Sequence, residues 1–245
     1  MMEGKIHPNT KMYGKVEIGK GSFVASGCYL YGPITIGDNT HIESGCILGT
    51  PPEHKNKDSK YGIVIGNDNV IGVNCTITAS TDERPTIIGD GNYLMAGVHI
   101  SHDCLIGNDN VISHKTVLAG HCIVGDRNNL GVGTLVHQQT TIGSGCMIGM
   151  GTVVVKDIYP YLKVYGNPVE YGGLNLYQLK GLRHDGEDIL NNKDFKDSMI
   201  EGSLIIEDLK KFHKHSNRRG KNRVIGYNWQ LGTDKWNNSN HLIYL

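Results

Sequence analysis

The chain has 245 residues, with 24 basic and 24 acidic side chains and a formal net charge of zero; that length suits one repeat domain plus a smaller appendage, and the balanced charge excludes a general pull toward nucleic acid or an anionic membrane. Glycine is abundant at 33 residues and aromatics make up only 7%, a composition fitted to tight repeated corners rather than to an ordinary globular core. No apolar run reaches the roughly 20 residues of a membrane span, and no apolar signal segment follows Met1-Met2-Glu3-Gly4-Lys5, so a cytoplasmic location is the default expectation.

From the start of the chain, aliphatic residues recur every six positions: Ile6, Met12, Ile18, Val24, Leu30, Ile36, Ile42 and Leu48. The phase then slips by eleven residues, assigned to 54–64, and resumes at Ile65, Ile71 and Ile77. A second slip of five, assigned to 83–87, precedes a run of twelve hexads without error, from Ile88 through Leu94, Ile100, Ile106, Ile112, Leu118, Val124, Leu130, Val136, Ile142 and Ile148 to Val154. Neither a helical period nor simple alternation produces this pattern. A six-residue repeat is the signature of a parallel β-helix, each hexad being one short strand and a turn. Three hexads close one triangular coil, so residues 18 apart stack on neighbouring coils, roughly 4.8 Å apart. The two slips leave as loops, and loops of a solenoid often carry function.

Each hexad turns inward its aliphatic residue and the small residue four positions later. All six cysteines (Cys28, Cys46, Cys75, Cys104, Cys122 and Cys146) occupy that second slot, which predicts buried, reduced thiols rather than a disulfide framework or a zinc site. Asn92, Asn110 and Asn128, also 18 apart, predict an inward amide ladder. The repeat fades near Lys156-Asp157-Ile158-Tyr159-Pro160. The expected organisation is therefore a β-helix over residues 1–160 and a partly helical C-terminal region over 161–245, with helical spacing at Leu174–Arg183 and Leu204–His213. A basic cluster (Lys210, Lys211, Lys214, Arg218, Arg219, Lys221 and Arg223) is read as a solvated face, or as a dock for an acidic partner.

His99, His102, His121 and His137 crowd the middle of the strict repeat. Gly120 and Gln138 lie 18 and 36 positions after His102, directly above it. His121 and His137 fall one residue to either side of that column. None of the four histidines occupies an inward slot. A neutral imidazole near pH 7 suits general base catalysis, and a glycine corner can aim an N–H at a developing oxyanion. The pair suits acyl transfer to a hydroxyl or amine; a histidine cluster would also suit zinc.

The segments His99-Ile100-Ser101-His102-Asp103-Cys104, Leu118-Ala119-Gly120-His121 and Val136-His137-Gln138, with the loop Asp58-Ser59-Lys60-Tyr61, Gly166-Asn167 and Gly173-Leu174-Asn175-Leu176, resemble the acyl-carrier-protein-dependent UDP-N-acetylglucosamine O-acyltransferases that open lipid A biosynthesis. The resemblance spans about residues 1–180. It implies an all-β, left-handed parallel β-helix assembled as a homotrimer, with sites between neighbouring prisms. It also implies an acyl carrier protein as donor, a UDP-sugar as acceptor, and no metal or resident cofactor, because the acyl group arrives as a phosphopantetheine thioester. His102 would be the general base toward the sugar 3-hydroxyl, Asp103 would orient it, and the Gly120 N–H would hold the oxyanion. Asp58, Lys60, His99, His121, His137, Gln138 and Asn175 would contact the nucleotide sugar or acyl chain. Met150 stands where the family sets acyl length, implying a chain shorter than tetradecanoyl.

The chain departs from the family pattern at Thr78, where the family has histidine, and at Gly181-Leu182, where it has a pair of arginines; from His184 onward no match is visible. These departures keep open an N-acyltransferase acting on an amino-sugar nucleotide, supplied by acyl carrier protein or acyl-coenzyme A. A zinc lyase of the carbonic anhydrase type fits less well, since His99-x-x-His102 has the wrong ligand spacing for it. A non-catalytic scaffold gives no reason to stack His, Gly and Gln in one column.

Overall fold

A computed structural model of the protein describes residues 5–55, 61–81, 84–181, 204–215 and 224–225. Short strands wind through three parallel sheets in strict rotation, forming a left-handed parallel β-helix. The first sheet runs from Lys5–Ile6 to Leu162–Tyr165, the second from Lys11–Tyr13 to Val153–Val154, and the third from Val16–Ile18 to Asp157–Ile158 with Val224–Ile225 beside it. Among the described residues the one antiparallel partner is Glu170–Leu174, which closes the first sheet beyond Leu162–Tyr165.

The register is the sequence period in three dimensions. Val111 pairs with Asn129 and Ile112 with Leu130, 18 residues apart. His41 pairs with Val70 across the first slip, and Val70 with Tyr93 across the second. The extra residues leave the coil at positions that differ from the sequence expectation. Thr86 and Ile87 stay in a strand against Ile63 and Val64, so the second loop is 79–85 rather than 83–87. The first begins after Thr50, where its strand ends, and is over by Ile63. Aliphatic phase alone cannot place the exit, because both ends of such a loop are in phase with something.

The twelve aliphatic residues from Ile88 to Val154 are each at most 3% exposed. Burying each one contributes about 1.5–3 kcal/mol, and only stacking achieves it, since a single coil leaves its apolar face open. The six cysteines are buried and free. Burial pushes the Cys146 thiol up to about 12 and raises Cys104 as well. The amide ladder forms as expected and extends one rung further: Asn92 N–H donates to Asn69 Oδ1 at 2.8 Å, Asn110 N–H to Asn92 Oδ1 at 3.0 Å, and Asn128 N–H to Asn110 Oδ1 at 2.9 Å. Each side-chain oxygen thus satisfies a buried N–H on the next coil.

Among the described residues two helices follow the solenoid, α1 (Leu176–Gly181) and α2 (Leu204–His215). The latter lies over the third sheet. Phe212 packs against Tyr159 with ring centroids 4.8 Å apart and planes tilted by 53°, and the buried Asp208 pairs with Arg127 at 2.6 Å. Among the described residues no helix is long and apolar enough to cross a membrane. Of the C-terminal basic cluster, Lys210, Lys211 and Lys214 are exposed on α2; Arg218, Arg219, Lys221 and Arg223 lie outside the described residues.

Candidate active site

Where the chain turns from the second sheet to the third, three successive coils each place a residue three positions after the inward aliphatic in the left-handed region: Asp103, His121 and Gln139 all have φ of 61°. The residue before each, His102, Gly120 or Gln138, forms the column that the 18-residue spacing predicts. The backbone ties the column together, His121 N–H donating to the His102 carbonyl and Gln139 N–H to the Gly120 carbonyl, both at 2.9 Å.

At the centre, His102 Nδ1 lies 2.7 Å from Asp103 Oδ2. The Asp103 side chain is fully buried and that of His102 is 12% exposed. A buried carboxylate needs donors at all its lone pairs, and Asp103 has them. Ser80 Oγ and Thr81 N–H lie 2.6 and 2.9 Å from Oδ1, and Thr81 Oγ1 lies 2.6 Å from Oδ2 beside the imidazole. The Asp103 backbone is anchored as well: its N–H donates to Thr86 Oγ1 at 2.8 Å and its carbonyl accepts from the Arg84 guanidinium at 3.1 Å. With Asp103 accepting, Nδ1 of a neutral His102 carries the proton and Nε2 presents its lone pair outward.

Gly120 lies flat against that imidazole. A Cβ built on it would sit 2.6 Å from His102 Cε1 and 2.7 Å from Nε2. Gly120 is therefore glycine for lack of space, not for backbone conformation. Among the described residues its N–H donates to no protein acceptor, so it is free to meet a substrate oxygen. His121 flanks the pair, its ring edge-on to His102 at 5.2 Å and its Nε2 3.5 Å from Asp103 Oδ2. His54, an exposed residue of the first loop, packs edge-on to His102 from another side at 5.8 Å.

The other candidates are placed as follows. His99 is held apart from this cluster, between Thr76 Oγ1 at 2.7 Å and Ser101 Oγ at 2.9 Å. His137 and Gln138 are exposed, and the His137 Nδ1 turns back to the Gln138 carbonyl at 3.0 Å. Met150 is 77% exposed on an outer corner. Asn175 is buried beyond the last coil: its amide donates to the Gly145 carbonyl at 2.8 Å, and its own carbonyl accepts from Leu179 N–H at the start of α1. Asp58 and Lys60 lie outside the described residues. Ser80, Thr81, Arg84 and His54 are additions that the repeat arithmetic does not reveal, because all four sit in the two loops that interrupt it.

Ligand atoms of His102, Asp103 and His121 lie within 4.8 Å of one another. A metal would find the carboxylate already committed, with four protein partners on its two oxygens. In the cluster a buried anion orients an imidazole by a hydrogen bond, an arrangement that suits proton transfer.

Burial lowers the pKa of His99, against a smaller opposing effect of Glu53. The folded state takes up this proton less readily than the unfolded chain, so its contribution to stability is intact above the ordinary imidazole pKa of about 6.5 and is lost as pH falls below it. Thermal unfolding of His99→Gln is expected to show a shallower loss of Tm between pH 7 and pH 5 than the parent chain; parallel slopes would show that His99 does not titrate on unfolding.

A triangular β-helix with an imidazole, a buried carboxylate and a glycine on one corner defines a hexapeptide-repeat transferase. Family models agree, "Bacterial transferase hexapeptide (six repeats)" matching residues 16–50 and 85–120 and "Hexapeptide repeat of succinyl-transferase" matching 62–102 and 122–156. The chain belongs to the UDP-N-acetylglucosamine acyltransferase family: it is 34% identical to a solved UDP-N-acetylglucosamine acyltransferase, covering 73% of this chain and 74% of that one with a TM-score of 0.55. The UDP-N-acetylglucosamine acyltransferase of Campylobacter jejuni superposes with a TM-score of 0.68 at 28% identity, over 86% of this chain and 91% of that one. A Helicobacter pylori acyl-[acyl-carrier-protein]–UDP-N-acetylglucosamine O-acyltransferase is 37% identical over 138 residues, 55% of this chain and 51% of the relative. The chain thus matches about half the length of its curated relatives.

Proposed function

We propose that the protein moves a (3-hydroxy)acyl group from an acyl-carrier-protein thioester to the 3-position of UDP-N-acetylglucosamine, the first step of lipid A biosynthesis, with His102 as general base. One observation carries the reading: His102 Nδ1 is bound to the buried Asp103 at 2.7 Å, which leaves Nε2 as the base, beside a glycine whose N–H is unclaimed. In the forward step Nε2 removes the proton of the sugar 3-hydroxyl as that oxygen forms a bond to the thioester carbonyl carbon. The Gly120 N–H donates to the resulting oxyanion. The oxyanion then collapses, the C–S bond breaks, and the thiolate takes the proton back from the His102 imidazolium. Asp103 stays ionised throughout and stabilises the imidazolium.

The remaining assignments are those that the resemblance implies. Met150 stands free at a corner and would limit the acyl chain to fewer than 14 carbons. His99, His121, and the pair His137 and Gln138 stand on three successive coils and would contact sugar, nucleotide or acyl chain. Asp58, Lys60 and Asn175 keep the substrate-binding roles that the resemblance implies. The outward residues Tyr29, Ile47 and Leu135 of the second sheet are between 37 and 45% exposed. Large apolar side chains left outward on one sheet fit a surface covered by neighbouring copies, here a homotrimer.

The test is transfer by purified protein from 3-hydroxyacyl-carrier-protein donors of 10 to 14 carbons, and from the matching acyl-coenzyme A, to UDP-N-acetylglucosamine and its 3-amino analogue. Carrier-bound donor and the 3-hydroxyl sugar should give product, with the shorter donors preferred, and Met150→Gly should extend use to the longest. Clear preference of the parent chain for 14 carbons would remove Met150 from its role. Product from the 3-amino sugar alone would make the protein an N-acyltransferase.

A further inference from the structure

The second loop, which no repeat position accounts for, supplies most of the donors around Asp103. We propose that Thr81 is a positioning residue for the His102–Asp103 pair, acting through both its N–H and its hydroxyl; this rests on the reading of His102 as the general base. Five extra residues enter the coil between the strands Thr76–Thr78 and Thr86–Ile88. With that offset Ser80 lies one coil below Asp103, in the column that continues upward to His121. Among the described residues the single Ser80 hydroxyl proton has two acceptors within reach, Asp103 Oδ1 and the Arg84 carbonyl, so its donation to the carboxylate is shared. Thr81 has no such ambiguity. Its N–H is fixed on Oδ1 at 2.9 Å and its hydroxyl lies 2.6 Å from Oδ2, the oxygen that also holds His102.

Two consequences follow. Geometrically, the two Thr81 bonds grip both oxygens of the carboxylate and fix its plane, which fixes the line from Oδ2 to Nδ1. Electrostatically, donors to a carboxylate lower its basicity and keep it ionised. Without the Thr81 hydroxyl, Oδ2 concentrates more charge and binds the imidazolium more tightly, which moves the acid limb of the rate to higher pH. A role in folding alone would weaken the protein without moving that limb.

Thr81→Val keeps the N–H and the shape and deletes the hydroxyl; Thr81→Ser restores it. Transfer to UDP-N-acetylglucosamine should fall about tenfold in kcat for Thr81→Val, the usual size of a hydrogen bond to a charged group. KM for the sugar should stay within a factor of two or so, the acid limb of kcat/KM should move to higher pH, and Thr81→Ser should return both toward the parent values. Ser80→Ala, with both Thr81 donors intact, should shift the limb in the same direction by less, and it carries the test if Thr81→Val does not fold. His102→Ala, assayed alongside, separates the two levels. If it is inactive while Thr81→Val and Ser80→Ala keep the parent kcat and pH profile, the positioning role is wrong and the general base stands. If His102→Ala remains fully active, the reading of the site itself fails.

Discussion

Asp103→Asn is expected to lower kcat by about 10²- to 10⁴-fold while leaving the protein folded. The substitution is nearly isosteric, and asparagine tolerates the left-handed conformation that Asp103 adopts at φ 61°. The Thr81 N–H requires an acceptor at the Oδ1 position, so the amide oxygen settles there and the NH₂ group faces His102. An amide donor opposite Nδ1 forces the imidazole into the other tautomer, with the proton on Nε2, where it can no longer accept one from the sugar. His102→Ala should lose activity to a similar degree, since the base itself is gone. In both variants the KM for the UDP-sugar should change far less than kcat, because the loss falls on the transition state. Steady-state kinetics with thermal unfolding as a control checks this. Near-parent turnover by Asp103→Asn would mean that tautomer control is not what Asp103 does.

The fold was legible because one rule, an aliphatic residue every six positions, is enforced by burial at every coil: Ile100, Ile112, Leu118 and Leu130 are all fully buried, and a slip at any one would expose it. The same arithmetic, taken modulo 18, found the His102–Gly120 contact. It worked there because no insertion lies between residues 88 and 155. It could not find Ser80 and Thr81, since the loop that carries them shifts the spacing to 23 between paired strands such as Thr76 and His99. The signal was present in weaker form: a buried aspartate at a corner demands donors, and two adjacent hydroxyl residues in the nearest interruption were the available supply. His54 shows a harder limit. It reaches His102 from a polar loop, and no periodicity governs where such a loop folds back. Asn175 was placed by resemblance of a short segment; within this subunit its amide is engaged by the Gly145 carbonyl at 2.8 Å, a contact that local sequence does not announce.

Gly120→Ala should be the most damaging single methyl group in the molecule's chemistry, with kcat/KM reduced by about 10²-fold or more. The added Cβ would stand 2.6 Å from His102 Cε1 and 2.7 Å from Nε2, against the roughly 3.5–4.0 Å that carbon contacts require. Something must move by about 1 Å, a misplacement that can by itself cost on the order of 10²-fold in rate. The ring has little freedom to yield, being fixed by Asp103 at 2.7 Å and flanked by His121 and His54 at 5.2 and 5.8 Å. The backbone at 120 tolerates alanine, since its φ is not in the left-handed region, so the clash and not strain is what the variant reports. The methyl also stands beside Nε2, the atom that must meet the sugar hydroxyl, and narrows the approach to the Gly120 N–H. Base and oxyanion donor therefore fail together, and the loss should not be additive with His102→Ala: the double variant should be no slower than the worse single one. Independent, multiplying losses in that cycle would show that Gly120 and His102 do not act on one transition state.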